Sequence, residues 1–120
     1  MAYDENNVFA KILRGDLPCD KVFEDEHTLA FHDINPQAPV HVLVIPKGKY
    51  VSMADFSARA SDPEIAAFIR TVGQVARDLD LEDGGYRILA NHGEDGGQEV
   101  PHLHVHIFAG RKLGPMISRG

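Results

Sequence analysis

The chain has 120 residues, enough for one domain with a real hydrophobic core and too few for two independent ones. Its formal net charge of -6 disfavours sequence-independent binding to nucleic acid, which requires clustered Lys and Arg. The acidic N-terminus lacks the pattern of a signal peptide, and no apolar run reaches membrane-spanning length. We therefore expect a single cytoplasmic domain over residues 1–120 that associates neither with nucleic acid nor with a membrane.

The first half of the chain predicts a short helix followed by three strands. Asn6 or Asn7 can cap the helix, whose apolar stripe consists of Val8, Phe9, Ile12 and Leu13. Apolar runs too short for helices then predict strands at residues 21–25, 28–32 and 41–45, the first two as a hairpin. The third strand has four consecutive apolar residues, which is typical of a strand buried on both faces.

The second half predicts a long helix and two further strands. The helix begins at a capping-box pattern in residues 61–64, and its apolar residues recur at three- and four-residue steps: Ile65, Phe68, Ile69, Val72, Val75, Ala76 and Leu79. Residues 86–90 and 100–108 predict two antiparallel strands joined by a glycine-rich loop. The chain therefore predicts an α+β fold: a five-stranded antiparallel sheet with one long and one short helix. Dimerisation is one way to cover the edge or face that such a sheet leaves exposed.

Three histidines alternate with apolar residues in the predicted fifth strand. Alternate side chains of a strand share a face, so His102, His104 and His106 are predicted on one side at steps of about 6.6 Å. One strand histidine is usually a structural residue with a satisfied hydrogen bond, whereas three in register indicate a functional surface. Because neutral imidazole is both a metal ligand and a nucleophile, the pattern leaves zinc binding and nucleophilic catalysis open.

The loop before the histidines favours phosphate chemistry over zinc. Its glycines let backbone amides approach an anion, and Gln98 adds a neutral side-chain donor. Catalytic zinc takes three protein ligands that converge on one point, and histidines spread over about 13 Å of strand cannot converge without help from other elements. We therefore expect a phosphate site that needs no metal and no other cofactor, and zinc binding stays open as the second interpretation.

The alternating histidines, with Gly-Gly-Gln ahead of them, resemble the histidine-triad (HIT) superfamily. The resemblance covers nearly the whole chain and is also carried by residues 8–12, 30–34, 36–39, 41–47 and 110–116. Within the superfamily, the chain resembles the Hint branch of purine nucleoside phosphoramidases. Residues 98–100 and 113–116 are most similar to the bacterial members of that branch. It implies a homodimer of the HIT-like fold that hydrolyses the P–N bond of AMP-amine or GMP-amine conjugates.

The resemblance also implies roles for individual residues. His104 would attack the α-phosphorus to give a covalent nucleotidyl-histidine, with its second ring nitrogen donating to the carbonyl of His102. His106 would face the phosphate oxygens, and His41 would support the triad from the neighbouring strand. The implied nucleotide contacts are Asp33 (ribose), Asn91 (sugar or phosphate), Gly97 and Gln98 (phosphoryl oxygens), and a base pocket of Val8, Phe9, Ile12, Phe31 and Ile34.

Two positions depart from the family pattern. Glu99 stands where Hint members carry a serine, and because an ionised carboxylate cannot donate to phosphate, we expect it to point elsewhere. Lys49 stands where many relatives have histidine, and no role is assigned to it. The tail from Arg111 to Gly120 is expected near the active site, that of the partner subunit included, where it would influence substrate choice.

Besides zinc binding, the sequence leaves two other functions open. The same nucleophile could hydrolyse dinucleoside polyphosphates, which differ in having a pyrophosphate leaving group. The chain could also be a nucleotide-binding regulatory protein whose catalysis is incidental.

Overall fold

A computed structural model describes residues 2–118, which form one five-stranded antiparallel sheet with helices on both faces. The strands lie in the order β1-β2-β3-β5-β4. Their bounds are β1 Asp20–Glu24, β2 Thr28–His32, β3 Val40–Pro46, β4 Tyr86–Leu89 and β5 Val105–Ala109. The helices are α1 Val8–Leu13, α2 Met53–Arg59, α3 Asp62–Asp78 and the single-turn α4 Gly93–Gly96. The α+β class and the antiparallel sheet are as predicted.

The central strand β3 is buried on both faces, as its apolar run predicted. Val42 and Val44 face the cluster that contains the buried residues of α3, whereas Leu43 and Ile45 face the cluster that contains Phe9 of α1. Side chains alternate across a strand, so four consecutive apolar residues supply both cores. The sheet therefore separates two apolar layers, one under α3 and one under α1.

The long helix α3 covers one face of the sheet and begins at the predicted capping box. The Ser61 hydroxyl accepts from the Glu64 N–H (3.3 Å), and the Glu64 carboxylate accepts from the Ser61 N–H (3.0 Å). The prediction that Ile69 belongs to the core face is wrong, because its side chain is 60% exposed. Ile69 lies at the margin of the stripe, which is wider than the surface on which α3 packs.

The short helix α1 covers the opposite face. Of the two predicted caps, Asn7 is the one used, since its side-chain oxygen accepts from the N–H of Ala10 at 2.8 Å. Phe9 is buried from this helix against Phe31 of β2, with the two rings edge to face and their centroids 5.7 Å apart. This contact fixes α1 on the sheet.

The structure adds two helices, α2 and α4, to the long and short helices that were predicted. In α2, Ser52 caps the N-terminus by accepting from the N–H of Asp55, but Phe56 is the single buried residue of the helix. A single apolar contact produces no periodicity, so the sequence did not indicate this helix. No helix within residues 2–118 is long and apolar enough to cross a bilayer.

The fifth strand begins at Val105, so the predicted start at residue 100 is wrong. Pro101 has no N–H to give to a ladder, and the N–H of Leu103 donates instead to the carbonyl of Tyr50 at 2.7 Å. The main chain before Val105 is therefore held by the segment that follows β3 and not by a sheet neighbour.

Because of this shift, His102 and His104 precede β5, and among the three histidines only His106 lies within it. The alternation of faces nevertheless continues through the extended segment. Leu103, Val105 and Ile107 are all buried in the α3-side core. The histidines are consequently left on the side of α1.

We expect Ser61→Ala to lower the free energy of unfolding by about 1 kcal/mol, because the N–H of Glu64 loses its cap. Chemical denaturation monitored by circular dichroism measures the change. Ser57→Ala, an exposed position inside α2, is the matched control and should lose no stability. Equal stability of the Ser61 variant and the wild type would contradict a stabilising role for the box.

Candidate active site

His41, His102, His104 and His106 gather on the α1 side of the sheet. His41 of β3 and His106 of β5 reach this side from adjacent antiparallel strands, and their ring centroids are 5.2 Å apart. The rings of His104 and His106 are 4.8 Å apart. The structure therefore brings together the three histidines of the motif and the fourth histidine from the neighbouring strand.

Burial keeps these four histidines neutral at pH 7. Removal from water lowers the pKa of both His102 and His106 to about 4. Burial likewise lowers the pKa of His41 and His104, although the nearby carboxylate of Asp33 acts to raise both. A neutral imidazole has one N–H and one lone pair, so the partner of either nitrogen determines which atom carries the proton.

The proton of His104 lies on Nδ1. This nitrogen is 2.7 Å from the carbonyl oxygen of His102, and a carbonyl can only accept. The lone pair is therefore on Nε2, which is the state that a nucleophilic imidazole requires. The hydrogen bond that the family resemblance implied is present.

His102 is held at both ring nitrogens. Its Nε2 donates to the carbonyl of Pro46 at 2.8 Å, which leaves Nδ1 to accept from the hydroxyl of Tyr3 at 2.6 Å. Tyr3 was not predicted, because it lies 99 residues from His102 in a terminal segment that belongs to no motif. Phe9 adds edge-to-face contacts to the rings of His104 (4.9 Å) and His102 (6.2 Å).

His41 connects the histidines to the loop between β2 and β3. Its Nδ1 lies 3.1 Å from the main-chain N–H of Gln37, which donates to it. Its Nε2 lies 2.9 Å from Nδ1 of His106 and 3.4 Å from a carboxylate oxygen of Asp33. His41 therefore has partners at both ring nitrogens.

Asp33, His41 and His106 are also close enough to be tested as metal ligands, since one ligand atom from each lies within 4.8 Å of the others. An imidazole that binds a metal through Nε2 keeps its proton on Nδ1. In His41 that position faces the N–H of Gln37, so two donors would meet. Asp33, His41 and His106, with the ring protons that these hydrogen bonds require, therefore do not fit a metal ion.

Each carboxylate oxygen of Asp33 has a neighbour of its own. One carboxylate oxygen accepts from the N–H of Asn35 at 2.8 Å, which forms the turn after β2. The other oxygen is the one near His41, and the side chain is 20% exposed. Asp33 thus forms a turn and places an acceptor at the edge of the histidine cluster.

The side-chain amide of Gln98 is hydrogen-bonded to main-chain groups, so its NH₂ group is not free to bind phosphate. Its NH₂ group donates to the carbonyls of Val51 (2.8 Å) and Val100 (3.0 Å), and its oxygen accepts from the N–H of Gly93 (3.2 Å). Both amide hydrogens are committed, so the structure does not support the donor role that the sequence gave this side chain. Gly97 ends α4 with φ 77°, a left-handed conformation that favours glycine.

The apolar residues assigned to a base pocket fall into two groups. Phe9, Ile12 and Phe31 pack together in the cluster between α1 and the sheet. Val8 and Ile34 are open to solvent, and Ile34 is 92% exposed. Asn91 is partly buried at the end of β4, before the glycine-rich loop.

A separate concavity of about 420 Å³ lies beside α1, and no histidine lines it. Its lining residues are Ile12, Leu13, Cys19, Lys21, Glu24, Leu29 and Lys47. It shares only Ile12 with the predicted nucleotide contacts. The concavity is therefore distinct from the histidine cluster.

Lys49, Glu99 and the tail are the remaining positions that the sequence analysis singled out. Lys49 forms an ion pair with Glu5 of the N-terminal segment. Glu99 is exposed, and its charge acts to raise the pKa of His104. In the tail, Arg111 donates to the carbonyl of Gln37 at 3.3 Å. Residues 119–120 of the tail lie outside the described part of the chain.

Comparison with known proteins places this fold and motif in one family. Residues 14–113 match the family described as HIT domain. An uncharacterized HIT-like protein of Azospirillum brasilense is 69% identical over 118 residues, which are 98% of this chain and 97% of that protein. The purine nucleoside phosphoramidase of Escherichia coli K12 is 39% identical over 114 residues, 95% of each chain.

Solved structures share the fold as well. The HIT family hydrolase from Clostridium thermocellum superimposes with a TM-score of 0.86 at 39% identity, covering 96% of this chain and 99% of that one. A histidine triad protein from Clostridium difficile gives a TM-score of 0.82 at 40% identity over 95% and 98% of the two chains. With the histidine cluster in place, these matches show that the chain belongs to the histidine-triad (HIT) family.

Proposed function

We propose that the protein hydrolyses purine nucleoside phosphoramidates, in which AMP or GMP is joined to an amine by a P–N bond. The proposal is carried by the hydrogen bond from His104 Nδ1 to the carbonyl of His102, since it leaves Nε2 of a buried, neutral ring as a nucleophile. The Escherichia coli relative named purine nucleoside phosphoramidase supports this substrate class.

The reaction would proceed in two displacements at phosphorus. Nε2 of His104 attacks the α-phosphorus, and the P–N bond breaks with its electron pair going to the amine nitrogen, which takes up a proton. Water then attacks the nucleotidyl-histidine and loses a proton, and the bond from phosphorus to Nε2 breaks with its pair returning to the ring. The products are the amine and a nucleoside monophosphate, and His104 is again neutral.

The groups around His104 suit the rest of the nucleotide. His106 would donate to the phosphoryl oxygens, and the free acceptor capacity of Asp33 would receive the ribose hydroxyls. Backbone amides near Gly97, with Asn91, would complete the phosphate and sugar contacts. The base would lie against the apolar cluster that contains Phe9, with the exposed Val8 and Ile34 closing over it.

We expect His104→Ala to lower kcat for an adenosine phosphoramidate by at least about 10³-fold, because the variant has no nucleophile. Release of the amine measures turnover, and trapping with acid should reveal a nucleotidyl-protein in the wild type only. His27→Ala, in the β1–β2 turn, is the histidine control and should keep wild-type turnover. An active His104 variant would refute the assignment.

The same assay separates the alternatives when a dinucleoside polyphosphate is run beside the phosphoramidate. Preferential cleavage of the polyphosphate would replace the proposed activity with polyphosphate hydrolysis. Nucleotide binding without turnover of either substrate would favour the regulatory function.

The pH dependence of kcat/KM should show an acid limb below pH 6.5, the ordinary pKa of histidine. Protonation of Nε2 removes the nucleophile, and burial lowers the pKa of His104, so activity persists to lower pH than for an exposed histidine. A limb centred above pH 6.5 would contradict this state of His104.

Circular dichroism at each pH is the necessary control. His102 and His106 have a pKa of about 4 in the folded protein, below the unfolded value, so between pH 6.5 and pH 4 the unfolded chain binds more protons. The free energy of unfolding therefore falls as the pH falls through this range. Activity lost before any change in the spectrum reports on His104.

We also propose that the protein is a homodimer whose interface includes strand β4 and the adjacent margin of α3. β4 is an edge strand, and Ile88 on its α3 side is 51% exposed. On α3, Arg70 and Gln74 mark the margin that lies beside Phe23 of β1. Ile69 is exposed on the opposite margin, which faces away from β1. An unpaired edge next to apolar side chains is a surface that a second copy can cover.

Sedimentation equilibrium of the wild type should give twice the 13.2 kDa mass of the chain. Ile69→Arg combined with Ile88→Arg should shift the protein to monomer, since two charges would be buried without partners. Arg70→Glu, on the opposite margin of α3, should leave the dimer intact. A monomeric wild type would contradict the proposal.

A further inference from the structure

A continuous row of hydrogen bonds runs from the loop between β2 and β3 to His106. It begins at the main-chain N–H of Gln37, which is 3.1 Å from Nδ1 of His41. An N–H can only donate, so Nδ1 of His41 must offer its lone pair. Since His41 is buried and neutral, its proton lies on Nε2.

The proton on His41 determines the state of His106. Nε2 of His41 is 2.9 Å from Nδ1 of His106, closer than the 3.4 Å to the carboxylate of Asp33. Two ring nitrogens form a hydrogen bond only if one donates and the other accepts, and His41 is already the donor. Nδ1 of His106 therefore accepts, and the proton of this neutral ring lies on Nε2.

We infer that the main-chain N–H of Gln37 is a positioning group that, through His41, makes Nε2 of His106 a permanent hydrogen-bond donor. The catalytic meaning of this inference rests on the proposed function. In that reaction His104 supplies a lone pair at Nε2 while the adjacent ring, 4.8 Å away, supplies an N–H for the phosphoryl group. The opposite state of His106 would present a second lone pair to the same anion.

The loop that carries Gln37 is held in place from both sides. Arg111 of the C-terminal tail donates to the carbonyl of Gln37, and Asp33 anchors the beginning of the loop through its turn with Asn35. Pro36 and Pro39 restrict the backbone on either side of Gln37. The residue proposed to bind ribose and the amide that orients His106 thus belong to one stiff segment.

The first test reads the proton positions directly in the resting wild-type protein. Long-range ¹H–¹⁵N correlation spectra of protein with ¹⁵N-labelled histidine distinguish a ring protonated on Nε2 from one protonated on Nδ1. We expect Nε2–H for His41, His102 and His106, and Nδ1–H for His104. Nδ1–H in His106, or averaging between its two states, would overturn the inference.

The second test removes the amide hydrogen. Gln37→Pro has no main-chain N–H, whereas Gln37→Ala keeps it and is the matched control. In the Pro variant we expect His41 and His106 to populate both states, and kcat to fall by about 10- to 100-fold relative to the Ala variant, with AMP affinity within about threefold. The Ala variant should keep the wild-type ring states.

If the Pro variant does not fold, a second variant replaces it. In this variant an α-hydroxy acid at position 37 converts the preceding amide bond into an ester. It deletes the same hydrogen with little change of shape and should reproduce the loss of the His106 donor. Unchanged ring states in a folded ester or Pro variant would overturn the inference. An inactive wild type that shows the four assigned ring states would refute the proposed hydrolysis while supporting the role of Gln37, so the two can fail separately.

Discussion

The protonation state of His104 depends on the hydrogen bond between its Nδ1 and the carbonyl of His102, and that bond depends on the path of the main chain. The bond exists because the chain leaves the ladder geometry before Val105 and is held instead by the carbonyl of Tyr50. That path lets the side chain of one residue meet the backbone of the residue two positions earlier. The state of the proposed nucleophile is therefore a property of backbone geometry and is not set by an acidic partner.

Backbone groups act in the same way on the other rings. The carbonyl of Pro46 accepts a hydrogen bond from His102, and the N–H of Gln37 donates one to His41. Backbone donors and acceptors cannot exchange roles, whereas a carboxylate or a second imidazole can change its protonation. A cluster of four histidines held in this manner has one arrangement of protons, which is the preorganisation that catalysis by hydrogen bonding requires.

The cluster also depends on the sheet that divides the two cores. Val105 and Ile107 are buried under α3, so the residues between and before them must face α1. There Phe9 packs against the rings and excludes water, which lowers the pKa values of the histidines and keeps them neutral. Burial thus keeps the rings available as nucleophile and donor. It also makes the fold less stable in acid, since the neutral histidines take up protons on unfolding.

The sequence by itself determined the features that depend on local pattern. The alternation around His104, the apolar run of β3, the capping box at Ser61 and the cap at Asn7 were all predicted, because each follows from spacings of a few residues. Only the tertiary structure decided which distant groups meet: the hydroxyl of Tyr3 at His102, and the commitment of the Gln98 amide to backbone carbonyls. Such contacts join residues far apart in the chain, and no local pattern encodes them.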